Sequence, residues 1–286
     1  MRIVFEHVSF AYPADGRAAS PALRDISVEL RADALTGVCG GNGSGKSTLI
    51  RLMNGIFRPT AGRVLVDGED IHRSKAALRR VRQRIGMSFQ FPERQLFGRT
   101  VWEELTHTLE EHALPAEEIA RRVTAAAAAV EFDLQRLRER SPFSLSRSEQ
   151  RKLGLAVTLS LRPEVAVFDE PTAGMDRANA RRFLSALRRL HESGQTQIML
   201  VSHDLALLLD YAQRLLIMDR GAVAFCGSPP QALEKPNLLD KAGVALPPVA
   251  QVFRLLHARD PRLAEAVRHV SSDNFSKIPL TFSREE

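Results

Sequence analysis

Gly40-Gly41-Asn42-Gly43-Ser44-Gly45-Lys46-Ser47 fits the pattern G-x-x-x-x-G-K-[ST] at every fixed position. Its glycines let consecutive backbone N–H groups turn inward around an anion with no side chain in the way. Lys46 offers a mobile cation to the β- and γ-phosphates of a nucleotide, and Ser47 offers a hydroxyl to Mg²⁺. The apolar run Thr36–Cys39 leads into the loop, and Thr48–Asn54 reads as a helix whose positive end points at the anion. Strand, loop and helix together separate a phosphate cradle from a chance glycine-rich turn. Gly40 through Thr48 are therefore the expected contacts to ATP.

Downstream, Val165-Ala166-Val167-Phe168-Asp169-Glu170 is an unbroken apolar strand ending in two carboxylates. Unbroken apolar strands are buried on both faces, as in a parallel sheet. In a phosphate-loop enzyme this strand end carries the Asp that holds Mg²⁺ and a carboxylate that orients water. Many strands end at Asp, so the pair gains its meaning from the loop upstream.

The remaining chain supplies the frame. Ile3–Phe10 and Leu23–Leu30 alternate as half-buried strands, with a loop from Tyr12 to Pro21 between them. Arg63–Val66 with the Asp67-Gly68 turn is another strand, Ser74–Arg84 a basic helix, and Gly86–Phe89 a strand. From Pro92 to Leu161 the pattern is helical. Thr100 caps Val101–Glu110, and Pro115 with Glu117 and Glu118 opens a helix through the alanines 125–129. Asp176 caps a helix ending at Gly194, Ile198–Val201 is a buried strand, Leu205–Leu209 starts a helix, and Leu215–Phe225 turns back as a hairpin at Asp219-Arg220-Gly221. After Gly227, prolines at 229, 230, 236, 247 and 248 punctuate short helical pieces such as Val249–His257, and the last dozen residues read as loose. The expected fold is α/β: a P-loop NTPase core with an antiparallel β subdomain, a helical subdomain at about 92–161, and a C-terminal extension over 231–286.

Composition narrows the setting. The chain has 286 residues, 44% of them hydrophobic and 26% charged, with a net charge of +6. No apolar run approaches the ~18 residues that cross a bilayer, and Met1–Phe10 alternates in polarity, unlike a secretory signal. A cytosolic chain is expected, with Cys39 and Cys226 as reduced core residues lacking metal-ligand spacing. The basic excess permits nucleotide, nucleic acid or an anionic membrane surface without choosing among them. Much of it is arginine on helices such as Leu78–Arg84 and Arg181–Arg189, a solvated-face pattern.

With loop and strand in place, residues 1–230 resemble the ATP-binding-cassette family. Five further elements fall in that family's order: Tyr12, Gln90, Leu145-Ser146-Arg147-Ser148-Glu149, Ala173-Gly174-Met175-Asp176 and His203. The resemblance implies that Tyr12 stacks on adenine and that Gln90 links the metal site to the helical subdomain. It implies that Ser146, Arg147 and Ser148 lie at the signature facing a second subunit's ATP, and that His203 serves as the switch histidine. Catalysis then falls to Glu170, His203 and Lys46, and Mg²⁺ to Ser47, Gln90 and Asp169. Phe89-Gln90-Phe91-Pro92-Glu93-Arg94-Gln95-Leu96-Phe97 and Ser141-Pro142-Phe143-Ser144 are similar to ATPases of energy-coupling factor transporters, importers of vitamins and transition-metal ions. That similarity implies a second ATPase subunit, a transmembrane coupling protein docking beside Gln90 and Glu93, and a substrate-capture membrane protein. It also implies a peripheral position on the cytoplasmic membrane face, and an extension used in dimer contact.

The signature departs from the family's Leu-Ser-Gly-Gly-Gln. Arg147 and Ser148 replace both glycines and crowd a close backbone approach, while Glu149 brings negative charge toward an anion. A homodimer would carry this defect at both composite sites, so a different partner with an intact signature is favoured; a tolerated variant that forms a homodimer stays open. Three other classes also stay open: a soluble cassette ATPase acting on nucleic acid or ribosomes, an exporter subunit, and a non-catalytic subunit that uses ATP only as a clamp. Against the first, the chain has no long coiled-coil insertion and no aromatic-basic stacking stripe, so no nucleic acid is expected as partner.

Overall fold

The computed structural model of the chain describes residues 1–13, 21–31, 33–246 and 251. The loop expected at Tyr12–Pro21 falls mostly outside this range, and so do the helix expected at Val249–His257, apart from Gln251, and the terminal dozen residues.

In chain order, β1 (Arg2–Ala11), β2 (Pro21–Arg31) and β3 (Thr36–Gly40) lead to α1 (Lys46–Met53). Next come β4 (Ala61–Val66), β5 (Glu69–Asp70), α2 (Lys75–Arg84) and β6 (Ile85–Ser88). A 3₁₀ turn, Pro92–Gln95, opens a helical stretch of α3 (Val101–Glu111), α4 (Ala116–Ala129), α5 (Leu134–Leu137), a second 3₁₀ turn at Pro142–Ser144, and α6 (Arg147–Ser160). Then follow β7 (Val165–Asp169), α7 (Arg177–Glu192), β8 (Gln197–Val201), α8 (Leu205–Tyr211), β9 (Arg214–Asp219), β10 (Ala222–Gly227), α9 (Pro229–Leu233) and α10 (Pro236–Lys241). The helix starts follow their caps: Thr100 Oγ1 accepts from Glu103 N at 3.1 Å, and Asp176 Oδ1 from Asn179 N at 2.9 Å.

Two sheets result. One is antiparallel with order β2-β1-β4-β5; the other runs β10-β9-β3-β8-β7-β6 and is parallel except for the β10 edge. The apolar strands of the second sheet are buried on both faces, and the side chains divide by parity. Ala166, Phe168, Ile198, Leu200, Leu215 and Ile217 pack into a core with α3, α4, α6 and α7. Val165, Val167, Met199, Val201, Leu216 and Met218 pack into a second core with α1 and the antiparallel sheet. A one-residue slip in any of these strands would exchange the two sets, so the sequence pins the register.

This topology sets the site. In register, Gly40 pairs with Met218 and Asp169 with Val201, so the loop and the carboxylates leave the carboxyl ends of β3 and β7 on either side of β8. The carboxyl edge of an open parallel sheet is where α/β folds bind ligands.

Candidate functional site

The loop's path depends on glycine at two positions. Gly40 has φ of 148°, and a Cβ there would lie 2.2 Å from the Met218 carbonyl oxygen. Gly45, the residue that starts α1, has φ of 103°, and its Cβ would lie 2.6 Å from Leu23 Cδ2. That start explains why α1 begins at Lys46, two residues before the helix expected from the sequence. Lys46 Nζ donates to the carbonyls of Gly40 at 2.8 Å and Gly41 at 3.0 Å. Burial pulls the Lys46 ammonium below its ordinary pKa, while the charges of Glu170 and Asp169 oppose the shift.

Asp169 meets the loop directly: Ser47 Oγ donates to its Oδ2 at 3.0 Å. Burial raises the Asp169 carboxyl above its usual range, and the Ser47 hydrogen bond holds it back. Gln90 lines the same cavity. Hydroxyl, carboxylate and amide are hard oxygen donors, and a buried carboxylate next to a serine suits Mg²⁺, which takes few protein ligands beside phosphate oxygens and water. These residues fit the ion.

Glu170 is buried at 8% exposure with φ of 50°, an uncommon conformation for a residue other than glycine. Its Oε1 accepts from His203 N at 2.8 Å and faces His203 Nδ1 at 2.7 Å; its Oε2 accepts from Ser202 Oγ at 3.2 Å. A carboxylate only accepts, so the ring donates to it from Nδ1. The imidazole itself stands 70% exposed beyond this anchor.

Tyr12 lies on the other side of the loop. Its hydroxyl is 2.9 Å from Thr48 Oγ1, and its ring packs edge-on against Phe10 and Phe57 with one side open to solvent. The cavity these groups share is about 330 Å³, lined by Tyr12, Ala22, Asn42 to Thr48, Gln90, Asp169 and Glu170. A larger cavity of about 760 Å³ lies between α2 and the helical stretch, lined by Lys75, Arg79, Arg82 and Arg122 among others and by neither carboxylate. Cys39, beneath the loop, has a thiol pushed up to about 12 by burial and offers no nucleophile.

Ser146, Arg147 and Ser148 do not line the loop's cavity among the described residues. They begin α6, where Ser146 is the N-cap of a complete capping box. Glu149 Oε2 accepts from Ser146 N at 2.9 Å and Ser146 Oγ at 2.8 Å, and Arg136 Nη2 donates to Glu149 Oε1 at 2.7 Å. The negative charge expected to face an anion is thus folded back onto its own helix start and paired with Arg136. Glu93 is also inward: its side chain is 19% exposed, and Oε2 lies 3.9 Å from Arg151 Nε.

Sequence reasoning missed several supports. Ser202 holds Glu170, and nothing marked it except its place beside His203. Glu104, inside α3, accepts Phe97 N at 2.8 Å and Gly98 N at 2.6 Å. The Ser146-x-x-Glu149 spacing is a capping-box pattern that was legible in the chain.

Residues 23–173 match the ABC transporter family. The chain belongs to that family of ATPases, and the matched residues include the phosphate loop and both carboxylates. Among curated relatives, it is 41% identical over 259 residues, 91% of this chain and 89% of the relative, to the energy-coupling factor transporter ATP-binding protein EcfA2 of Symbiobacterium thermophilum. It is 33% identical to the EcfA2 of Caldanaerobacter subterraneus, over 91% of this chain and 90% of that one. Among solved structures, cbiO1 from Clostridium perfringens, part of the ABC transporter complex cbiONQ, superposes with a TM-score of 0.73 at 28% identity, covering 92% of this chain and 97% of that one.

Proposed function

We propose that this chain is the ATP-hydrolysing subunit of an energy-coupling factor importer for vitamins or transition-metal ions. It works at the cytoplasmic face of a membrane with a second ATPase subunit, a transmembrane coupling protein and a substrate-capture protein. The observation that carries the chemical part is the convergence of Lys46, Ser47, Asp169 and Glu170 on one cavity at the loop. The transport part leans on the likeness to energy-coupling factor ATP-binding proteins along nine-tenths of the chain.

In this reading residues 1–230 form the nucleotide-binding domain and 231–286 the extension. The loop amides and Lys46 bind the phosphate tail, and Tyr12 lays its open face against adenine. Ser47, Asp169 and Gln90 hold Mg²⁺, which when bound neutralises phosphate charge. Glu170, fixed by Ser202 and His203, orients a water in line with the γ-phosphorus and accepts its proton; the water oxygen bonds to phosphorus as the bond to the ADP oxygen breaks, and the proton passes on to the released phosphate or to solvent. His203 turns its exposed edge to the γ-phosphate. Ser146, Arg147 and Ser148 face ATP held by the partner subunit, and the replaced signature favours a different chain in that position.

Glu170→Gln keeps the shape of the site and removes the charge. ATP binding is expected to persist while turnover falls about 10²- to 10³-fold, the usual loss for a group of this kind. A normal rate in that variant would remove Glu170 from the mechanism.

A further inference from the structure

The first variable residue of the phosphate loop is bonded to the C-terminal extension. Gly41 N donates to the Ala242 carbonyl at 2.8 Å. The contact follows from how α10 ends. Gly243, at φ of 66°, closes the helix: Gly243 N donates to Asp240 O at 3.1 Å and Val244 N to Leu239 O at 3.1 Å. This is the Schellman pattern, with its apolar contact supplied by Leu239 and Val244, both buried. The pattern satisfies the carbonyls of Leu239 and Asp240 and leaves that of Ala242, the cap residue, aimed outward. Its donor is Gly41.

The turn is anchored. Leu239, Ala242 and Val244 belong to the same buried cluster as Cys39, one strand position before the loop, and Ile217 on the neighbouring strand. On the loop side, the Gly41 carbonyl accepts from Ser44 N at 3.2 Å and from Lys46 Nζ at 3.0 Å. The Gly40–Gly41 peptide therefore joins the extension at its N–H to the lysine at its carbonyl, the Gly40 oxygen that accepts from Lys46 Nζ at 2.8 Å. A Cβ at Gly41 would lie 3.1 Å from the Ala242 oxygen, so the approach is close as well as bonded.

We propose that the Ala242-Gly243 turn is a positioning element of the phosphate loop: it fixes the Gly40–Gly41 peptide, pre-shapes the loop for the nucleotide's phosphates and couples nucleotide binding to the extension. This rests on the reading that the loop holds ATP. If the turn lets go, the Gly40–Gly41 peptide is free to rotate and the Gly40 carbonyl leaves Lys46, so binding has to reorder the loop. Coupling is reciprocal, so nucleotide in the loop tightens the turn.

The test uses the full chain in complex with its partner subunit, and the variants Gly243→Val and Gly243→Asn. Valine resists positive φ and asparagine tolerates it. Gly243→Val is expected to raise KM for ATP about three- to tenfold with kcat within about twofold, the size of one lost backbone hydrogen bond; Gly243→Asn is expected to stay near wild type. In the wild type, ATP·Mg²⁺ is expected to slow amide exchange in peptides covering residues 236–246, an effect that Lys46→Ala abolishes. This second readout stands even if the valine variant folds poorly. An unchanged KM in Gly243→Val, equal damage from asparagine and valine, or extension amides indifferent to nucleotide would each overturn the coupling alone. A wild type that binds no ATP would overturn the functional reading and this coupling with it.

Discussion

Glu149 has a double role at the first turn of α6. As the third residue of the helix it completes a capping box, and as a carboxylate it places charge where the family's signature carries glutamine. The hydrogen bonds from the Ser146 hydroxyl and backbone N–H, then Arg136, hold its carboxyl below the ordinary range, so it is ionised at neutral pH. Glutamine closes the same box without the charge. Glu149→Gln is therefore expected to leave the unfolding midpoint nearly unchanged and to raise ATP turnover of the chain's homodimer several-fold. Glu149→Ala, which loses the box, should cost about 1 kcal/mol of stability. Steady-state phosphate release from the purified variants separates these outcomes. If glutamine leaves turnover where it was, Arg147 and Ser148, not the charge, distinguish this signature. Such residues also mark how far the sequence could be read. Lys46, Ser47, Asp169 and Glu170 were legible because a spaced motif and a strand end name them. The positive φ of Glu170 and its hold by Ser202 were not, since both arise when β7 and β8 are brought side by side.

At the scale of elements, strands and capped helices were legible because parity and cap chemistry are local. What stayed hidden is how the segment between β6 and α3 is held. The sequence reads as helical from Pro92 onward, yet before α3 the structure has only the 3₁₀ turn Pro92–Gln95 and pins the segment at both ends. Pro92 is buried against Gly154 of α6, and Glu104 receives the amides of Phe97 and Gly98. Both tethers join residues far apart in pattern, and neither Gly154 nor Glu104 carries a motif. Gly154 allows two effects to be weighed. In a helix interior, alanine gains roughly 0.5–1 kcal/mol over glycine. Here a Cβ would lie 2.6 Å from Pro92 Cβ, an overlap that cores relieve only by shifts costing typically 1–3 kcal/mol. Overpacking wins, so Gly154→Ala is expected to destabilise the chain by about 1–2 kcal/mol in urea unfolding, against helix propensity. A stabilised variant would show that Pro92 moves aside freely. The segment would then be too compliant to carry motion from Gln90 toward a membrane partner.

Across the whole molecule, the antiparallel and parallel sheets share a core, and Arg84 adds a polar tie between them. From the end of α2 it reaches Asp67, in the turn after β4, at 2.5 Å and Glu164, just before β7, at 2.5 Å. Hydrogen bonding and charge from Arg84 hold the Glu164 carboxyl below its usual range. For Asp67, burial pushes upward, but hydrogen bonds from Arg84 and from the Arg2 backbone leave it lowered as well. Carboxyls lowered by folding add stability that is complete above their unfolded values, near 4, and is lost as pH falls through their folded values. All three side chains are at least one-third exposed, so solvent screens the network to about 1 kcal/mol or less. Arg84→Ala should therefore melt about one to two degrees below wild type at pH 7. The gap should narrow at about pH 3, where the wild type's own carboxylates are protonating, and at high salt, where the charges are screened. Paired thermal melts at the two pH values decide the matter. An equal gap at both would mean that Arg84 acts through its packed stem and not through its charge.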